Sequence, residues 1–207
     1  MSSEAVKERN MELALATAFE LFLKNGIENT TKEMLVRASG LSRSSVDRYF
    51  PTKLSCVLAV AQWAGRNYRE KSVPLQSIFA DGAKSGAAML KEYFKAVQAL
   101  LYEKPDLFVL GVECRAFIYR NASQDKDAEE AIYHALGPSA LLKKILERGL
   151  ADGSITVAID PEVEAVVVRE SLIGFLASMA LSYTKATTGD RSLVEYFINR
   201  VLIRYGI

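Results

Sequence analysis

Apolar residues recur at the spacing of an α-helix along nearly the whole chain of 207 residues, and no run alternates convincingly at period two. Leu15, Ala18, Phe19 and Phe22, for example, follow the i, i+3, i+4, i+7 pattern that places side chains on one helix face. Because a half-buried strand needs alternation at period two, the pattern predicts an all-α protein.

Turn-forming residues divide this pattern into about nine helices. The first three are short or end at glycine and proline, whereas the fourth is long and connects them to the rest. We therefore expect an N-terminal three-helix domain at 1–52 and a larger helical bundle at 53–207. The predicted helices are about 4–25, 31–38, 42–50, 52–71, 83–104, 105–121, 125–151 with a break or kink at Gly137-Pro138, 160–185 and 191–205.

Composition and the placement of charged residues indicate the cellular location of the protein. Half of the residues are apolar and a quarter are charged, which is typical of a soluble globular chain. The most apolar stretch, 163–181, is interrupted by Glu164, Arg169 and Glu170, and the polar start MSSEAVKERN contains no signal core. These features predict a cytoplasmic protein that does not associate with a membrane.

Few residues suited to catalysis are present. Cys56 and Cys114 have no metal-ligand spacing, and we interpret them as small buried hydrophobes, with a redox switch as the alternative. We expect His134, the only histidine, to be an exposed helix residue, with orientation of a ligand as the alternative. No nucleophile elbow, phosphate-binding glycine loop or metal-ligand cluster occurs, so we predict no enzyme activity, no cofactor and no metal site.

Residues 31–50, TKEMLVRASGLSRSSVDRYF, have the pattern of a helix-turn-helix. Leu35, Val36 and Leu41 are placed to form the small core that fixes the angle between its two helices. Gly40 suits the tight turn, since glycine adopts left-handed backbone angles without steric strain. The N-terminal end of the second helix is the part that reaches base edges in such motifs.

The longer segment AFELFLKNGIENTTKEMLVRASGLSRSSVDRYFPTKLSCVLAV resembles the N-terminal signature of the TetR family of transcriptional regulators. The resemblance covers about the first 60 residues. Beyond them, only the length and the all-helical character agree. The matching positions are Ala18, Phe22, Gly26, Thr31, Gly40, Ser42, Arg48, Phe50, Lys53 and Leu54.

The resemblance implies a DNA-binding surface. In the family, the third helix reads the major groove, while the N-terminus of the second helix and the start of the fourth hold phosphates. Thr31 and Lys53 would then contact phosphates, although Thr31 also fits a plain N-cap. A solvated face without partner remains the alternative for the basic residues. The predicted DNA-contacting residues are Thr31, Lys32, Arg43, Ser44, Ser45, Arg48, Tyr49 and Lys53, with Arg43, Ser44 and Ser45 at base edges.

Asp47 departs from the family pattern, which usually has a phosphate-bonding tyrosine at this position. A carboxylate there repels phosphate unless it pairs with Arg43 or Arg48 or accepts a hydrogen bond from a cytosine amino group. Asp47 and Arg43 are four residues apart, so an ion pair on one helix face is feasible. We predict an unusual operator preference, with lost DNA binding or no effect as the alternatives.

The stretch 171–181, SLIGFLASMAL, is apolar almost all round and needs cover on every side. Gly174 and Ser178 are small enough to admit a second helix closely. With the apolar last helix, this stretch resembles the two-helix face through which TetR-like subunits pair. We therefore expect a homodimer formed by the last two helices and bound to palindromic operator DNA, with a large monomeric core as the alternative.

The resemblance also implies an effector pocket in the C-terminal bundle. No charged cluster stands out in the inward stripes, so we expect an apolar or aromatic small molecule. The predicted function is a repressor released from its operator by this effector; the alternative is a DNA-binding protein without an effector, acting architecturally or through a protein partner. The predicted lining residues, each also suited to a plain core, are Trp63, Tyr93, Phe94, Phe108, Phe117, Phe175 and Met179.

Overall fold

The computed structural model describes residues 3–70, 78–79, 82–121, 140–182 and 191–207. Within these ranges the chain forms nine α-helices and no strand, which confirms the predicted all-α class. The helices are α1 (Ser3–Asn25), α2 (Lys32–Ser39), α3 (Arg43–Tyr49), α4 (Lys53–Glu70), α5 (Gly86–Glu103), α6 (Asp106–Asn121), α7 (Ala140–Ala151), α8 (Pro161–Ser182) and α9 (Arg191–Arg204).

The first of two compact units comprises Met1–Asn67 and Leu110–Gly137. In this unit α1 packs on α2, and α2 packs on α3. The predicted inner stripe of α1 is confirmed, because Leu15, Ala18, Phe19 and Phe22 are all buried. Burial of these side chains provides the main apolar stabilisation that α1 brings to the unit.

The buried face of α4 agrees only in part with the one that its sequence suggests. We expect Leu54, Val57, Leu58, Ala61 and Ala64 to point inward; Val57 is buried, and the other four are half-buried. The other buried positions of α4 are Cys56 and Val60. Alanine and leucine occupy several sides of this helix, so the helices packed against it decide which side is covered.

The second unit comprises Tyr68–Val109 and Pro138–Ile207. Here α5 packs on α7 and α9, and α7 packs on α8. The α5–α7 approach is very close, since a Cβ on Gly86 would lie 2.1 Å from the backbone nitrogen of Gly149. The start of α5 is held by the Asp152 carboxylate, which accepts a 2.8 Å hydrogen bond from the Gly86 N–H. These contacts fix the framework on which α8 and α9 rest.

The two units do not coincide with the predicted boundary at residue 52. That boundary separates DNA binding from effector binding and stays a prediction, because the units are defined by compactness alone. α4 extends past the division after Asn67, so it is shared by both units. The predicted kink at Gly137-Pro138 and the residue His134 lie outside the described residues.

In the described part of the chain, every helix is too short or too polar to span a lipid bilayer. The histidine, cysteine, aspartate and glutamate side chains of this part form no group of three or more suited to a metal ion.

Candidate nucleic-acid interface

The helix-turn-helix is built from local capping interactions. Thr31 caps α2, and its hydroxyl accepts a 3.2 Å hydrogen bond from the backbone N–H of Met34. Ser42 caps α3 in the same way, accepting a 3.2 Å bond from the N–H of Ser45. Gly40 ends α2 in the left-handed conformation with φ 68°. The predicted N-cap at Thr31 and the turn at Gly40 are therefore confirmed, and the two capping hydroxyls satisfy backbone donors that would otherwise be unpaired at the helix starts.

α3 lies on the first unit by one face only. Val46 and Phe50 are buried and, together with Leu35 of α2, attach the helix to the body of the unit. On the other side, Arg43 and Ser44 are exposed to solvent. α3 is therefore a short helix with an accessible polar face, which a major-groove helix requires.

The serine hydroxyls at the start of α3 form a small network. The Ser42 hydroxyl lies 3.0 Å from that of Ser44 and 2.9 Å from that of Ser45. Hydroxyl groups both donate and accept, so the exposed Ser44 can bond to either kind of base edge.

Four charged residues of α2 and α3 form a cluster, which we call the α2–α3 charge cluster: Lys32, Glu33, Arg43 and Asp47. The Lys32 amine lies 2.6 Å from Asp47 Oδ1. The Arg43 guanidinium lies 2.9 Å from Glu33 Oε1 and 3.8 Å from Asp47 Oδ2. Each cation of the cluster is therefore paired with at least one carboxylate of the same unit.

The two carboxylates of the cluster are stabilised in their charged form. The hydrogen bond from Lys32 is the main reason that the pKa of Asp47 is lowered. The pKa of Glu33 is lowered mainly by a backbone hydrogen bond and then by the hydrogen bond from Arg43. Both groups are thus ionised at neutral pH, and the cluster holds two negative and two positive charges.

The sequence suggested only part of this cluster. The expected pairing of Asp47 with Arg43 is present at 3.8 Å, but the shorter contact of Asp47 is with Lys32. Lys32 and Glu33 were not expected as partners, because they lie on a different helix. Helix spacing reveals neighbours within one helix, whereas the angle between α2 and α3 decides which residues meet across the turn.

Three other residues predicted to contact DNA make bonds within the first unit. The Lys53 amine donates a 2.7 Å hydrogen bond to the backbone oxygen of Glu28. The Tyr49 hydroxyl donates a 3.5 Å bond to the backbone oxygen of Lys7, and the Arg48 guanidinium lies 5.3 Å from the Tyr49 ring centroid. The DNA contacts of these residues stay predictions.

An open cavity of about 320 Å³ lies beside the starts of α2 and α4. Apolar side chains form much of its wall, and threonines and lysines supply the polar part. The resemblance assigns phosphate contacts to these two helix starts. The lining residues are Ala18, Phe22, Thr30, Thr31, Lys32, Leu35, Phe50, Thr52, Lys53 and Cys56.

The residues predicted to line an effector pocket are distributed over both units. Trp63 and Phe117 belong to the first, whereas the other five, Tyr93, Phe94, Phe108, Phe175 and Met179, belong to the second. Trp63 donates a 2.7 Å hydrogen bond to Glu12 and lies 5.5 Å from the ring of Phe19. Phe94 is fully buried in the core of the second unit. A ligand-binding role for these residues remains a prediction.

α8 and α9 present what we call the C-terminal apolar face. On α8, its members fall at the spacing of one helix side, and α9 has a similar exposed set. Its large apolar side chains are between 43% and 64% exposed. In the part of the chain that the structure describes, no neighbouring atom lies within 4 Å of the position that a Cβ on Gly174 would take. The face comprises Val163, Val167, Gly174, Ser178 and Leu181 of α8 with Leu193, Tyr196 and Ile203 of α9.

A buried carboxylate joins the same two helices. Glu164 of α8 accepts a 2.6 Å hydrogen bond from the Tyr205 hydroxyl and a 3.1 Å bond from Arg204. Tyr205 is fully buried, and burial together with this bond raises its pKa. The sequence indicated Glu164 only as an interruption of an apolar run, because its partners lie about 40 residues further on.

These features define an all-α helix-turn-helix protein. Residues 14–60 match the sequence model of the family described as "Bacterial regulatory proteins, tetR family". Solved structures of TetR-family regulators share the fold of this chain over nearly its whole length. No curated protein matches the sequence.

Several solved structures have the same fold. FadR from Bacillus subtilis, solved with stearoyl-CoA, superposes with a TM-score of 0.71 at 13% identity, covering 93% of this chain and 97% of that one. FadR from Thermus thermophilus, a TetR-family repressor solved with lauroyl-CoA, gives 0.64 at 19%, covering 95% of each chain. Reduced NemR from E. coli gives 0.66 at 20%, covering 93% and 95%.

Proposed function

We propose that this protein is a homodimeric repressor that binds palindromic operator DNA and is released by a small apolar effector. The observation that carries the DNA-binding part is the accessible polar face of α3 on a capped helix-turn-helix. Arg43 is the residue best suited to sequence recognition, since a guanidinium can donate two hydrogen bonds to one guanine. Ser44 and Ser45 would contact neighbouring bases.

The C-terminal apolar face supports the dimer. Six large apolar side chains of α8 and α9 are exposed in the single chain, and a patch of this kind on helices that pack into a bundle suits a protein partner. A second copy is the proposed partner, because the same face on both copies forms a closed two-fold interface. Two recognition helices then read two half-sites, which makes the operator palindromic.

The proposal of a small-molecule effector is supported by the apolar side chains of the second unit. Tyr93, Phe108, Phe175 and Met179 are partly buried against the core of the second unit and offer an apolar, polarisable surface. The two FadR proteins were solved with acyl-CoA thioesters, whose chains are apolar. We infer that an acyl chain or an aromatic compound is the effector. Its binding would shift α4, which both units share, and change the spacing of the two recognition helices.

Selection of bound fragments from genomic DNA tests the DNA-binding part. We expect enrichment of a duplex with two inverted half-sites about one helical turn, or a multiple of it, apart. Sedimentation of the protein without DNA should give a dimer. A monomer, or the absence of any enriched sequence, would contradict the proposal.

A thermal-shift screen with acyl-CoA thioesters of increasing chain length and with aromatic acids tests the effector part. An effector must raise the melting temperature and also release the selected duplex, because it binds one conformation preferentially. If DNA binds but no compound does both, the protein acts without a small-molecule effector.

A further inference from the structure

The α2–α3 charge cluster carries no net charge, although it lies where the proposed function needs positive charge. Lys32 and Arg43 are its cations, and Glu33 and Asp47 are its ionised acids. DNA-binding surfaces gain most of their sequence-independent affinity from cations that neutralise phosphates. In this protein two such cations are already neutralised by their own chain.

Fold stability does not account for the cluster. Its four side chains are between 31% and 64% exposed, and ion pairs this accessible to water contribute little to folding. The buried side chains Leu35, Val46 and Phe50 attach α2 and α3 to the unit by apolar contacts. We therefore assign the two carboxylates a role in DNA recognition and not in folding.

The geometry determines what each carboxylate controls. Asp47 uses one oxygen for Lys32 at 2.6 Å and the other for Arg43 at 3.8 Å, so it touches both cations. The Lys32 amine also donates a 3.2 Å hydrogen bond to the backbone oxygen of Pro51. Glu33 holds the Nη1 end of the Arg43 guanidinium at 2.9 Å. Arg43 is thus flanked by two acids at the start of the proposed recognition helix.

We propose that Glu33 and Asp47 are specificity-determining residues that oppose binding to DNA other than the operator. This inference rests on the proposed function. On an unrelated DNA sequence, only the phosphates can replace the carboxylates as partners of Lys32 and Arg43. The negative charges of both carboxylates repel these phosphates. On the operator, a guanine accepts the Arg43 bonds and a cytosine amino group donates to Asp47, which compensates for the broken pairs. The operator half-site therefore contains G·C pairs opposite these residues.

The test compares two duplexes, namely the one selected by the unaltered protein and one with scrambled half-sites and the same composition. Affinities of the unaltered protein, Asp47→Asn and Glu33→Gln are measured over a series of salt concentrations. For Asp47→Asn we expect scrambled-duplex affinity to rise about 10-fold, while operator affinity rises less or falls. The salt slope on the scrambled duplex should steepen by about 1 for a newly available cation. Glu33→Gln should act in the same direction with a smaller effect.

Glu147→Gln is the matched control, because it removes one exposed carboxylate from the second unit. It changes the net charge equally and should leave the ratio of the two affinities unchanged. Equal melting temperatures of all variants establish that each is folded. Should Asp47→Asn fail to fold, Glu33→Gln carries the test alone.

The outcomes separate this inference from the proposed function. If the unaltered protein selects no sequence, the proposed function fails. If it selects an operator but both variants keep the same affinity ratio, the two carboxylates do not determine specificity. Weaker binding of both variants to both duplexes would also overturn the inference, since the acids would then assist binding in general.

Discussion

The polar face of α3 and the C-terminal apolar face are both accessible surfaces. They differ in whether their side chains find partners within the same chain. On α3, the cation Arg43 has carboxylates within its own unit. On α8 and α9, side chains such as Leu181 and Ile203 remain more than half exposed. Both surfaces contact water, but the charges of the first are paired within a single chain, whereas the apolar side chains of the second stay exposed.

The difference follows from the nature of the two interactions. A charge needs only one opposite charge nearby, and a neighbouring helix of the same unit can supply it. An apolar stripe along a helix needs an area of matching shape to exclude water. We infer that the apolar face determines how two copies assemble and that the polar face determines how operator DNA is distinguished from other DNA. Variants on each of the two faces test this contrast.

Gly174→Glu should separate the dimer. No neighbouring atom of the described residues lies within 4 Å of a Cβ at this position, so the helices that the structure describes leave room for the side chain. At a two-fold interface, the change places two carboxylates in a surface that loses water, which costs several kcal/mol per ion. We expect the dimer dissociation constant to rise at least about 100-fold in sedimentation equilibrium, and operator affinity to fall with it.

Gly111→Glu is the control for this variant, because a Cβ on Gly111 of α6 also meets nothing within 4 Å. It should leave a dimer. Equal dissociation of both variants, or of neither, would show that the C-terminal apolar face is not the interface.

Arg43→Ala should weaken operator binding by about 10- to 100-fold and relax the base preference at one position, since a bidentate contact to guanine is lost. Arg66→Ala, an exposed change on α4, is the control. Competition binding with single-base operator variants measures both effects. Unchanged affinity and preference would show that α3 reads bases through other residues.

Tyr205→Phe should lower the free energy of unfolding by about 1 kcal/mol. The buried Glu164 carboxylate keeps its bond from Arg204 but loses the hydrogen bond from the buried Tyr205 hydroxyl. Chemical denaturation measures the free energy of unfolding. Tyr119→Phe, at a side chain that is 84% exposed, should have no effect. Equal stabilities of the two variants would mean that the Glu164–Tyr205 bond does not hold α9.

The thiols of Cys56 and Cys114 in the first unit should affect the free energy of unfolding only at alkaline pH. Burial is the main reason that the pKa values of Cys56 and Cys114 rise from 9.0 to about 12. Between these values the unfolded chain ionises its thiols and the folded chain does not, so stability falls as the pH rises from 9.0 towards 12. Near neutral pH both states are protonated, and no contribution is expected.

The double variant Cys56→Ala, Cys114→Ala should therefore lose less stability than the unaltered protein when the pH rises from 8 to 10, as measured by denaturation and interpreted by proton linkage. Parallel losses would contradict the pKa shifts. Slow reaction of the native thiols with a disulfide reagent at neutral pH is the accompanying expectation.

Features that depend on neighbours within a turn or two of helix were predictable from the amino-acid sequence. The stripe of Leu15, Ala18, Phe19 and Phe22 was recognisable because helical period alone aligns these side chains. The caps at Thr31 and Ser42 were recognisable because each hydroxyl bonds an N–H only three residues away. The helix-turn-helix and the all-α class follow from such local rules.

Contacts between residues of different helices were not predictable and became visible only in the folded chain. Asp47 reaches Lys32, which is 15 residues away, and Glu164 reaches Tyr205, which is 41 residues away. The buried face of α4 and the α5–α7 crossing at Gly86 and Gly149 belong to the same class. Such contacts depend on the angles and distances between helices. Those are set by the simultaneous packing of many buried side chains, which no single segment encodes.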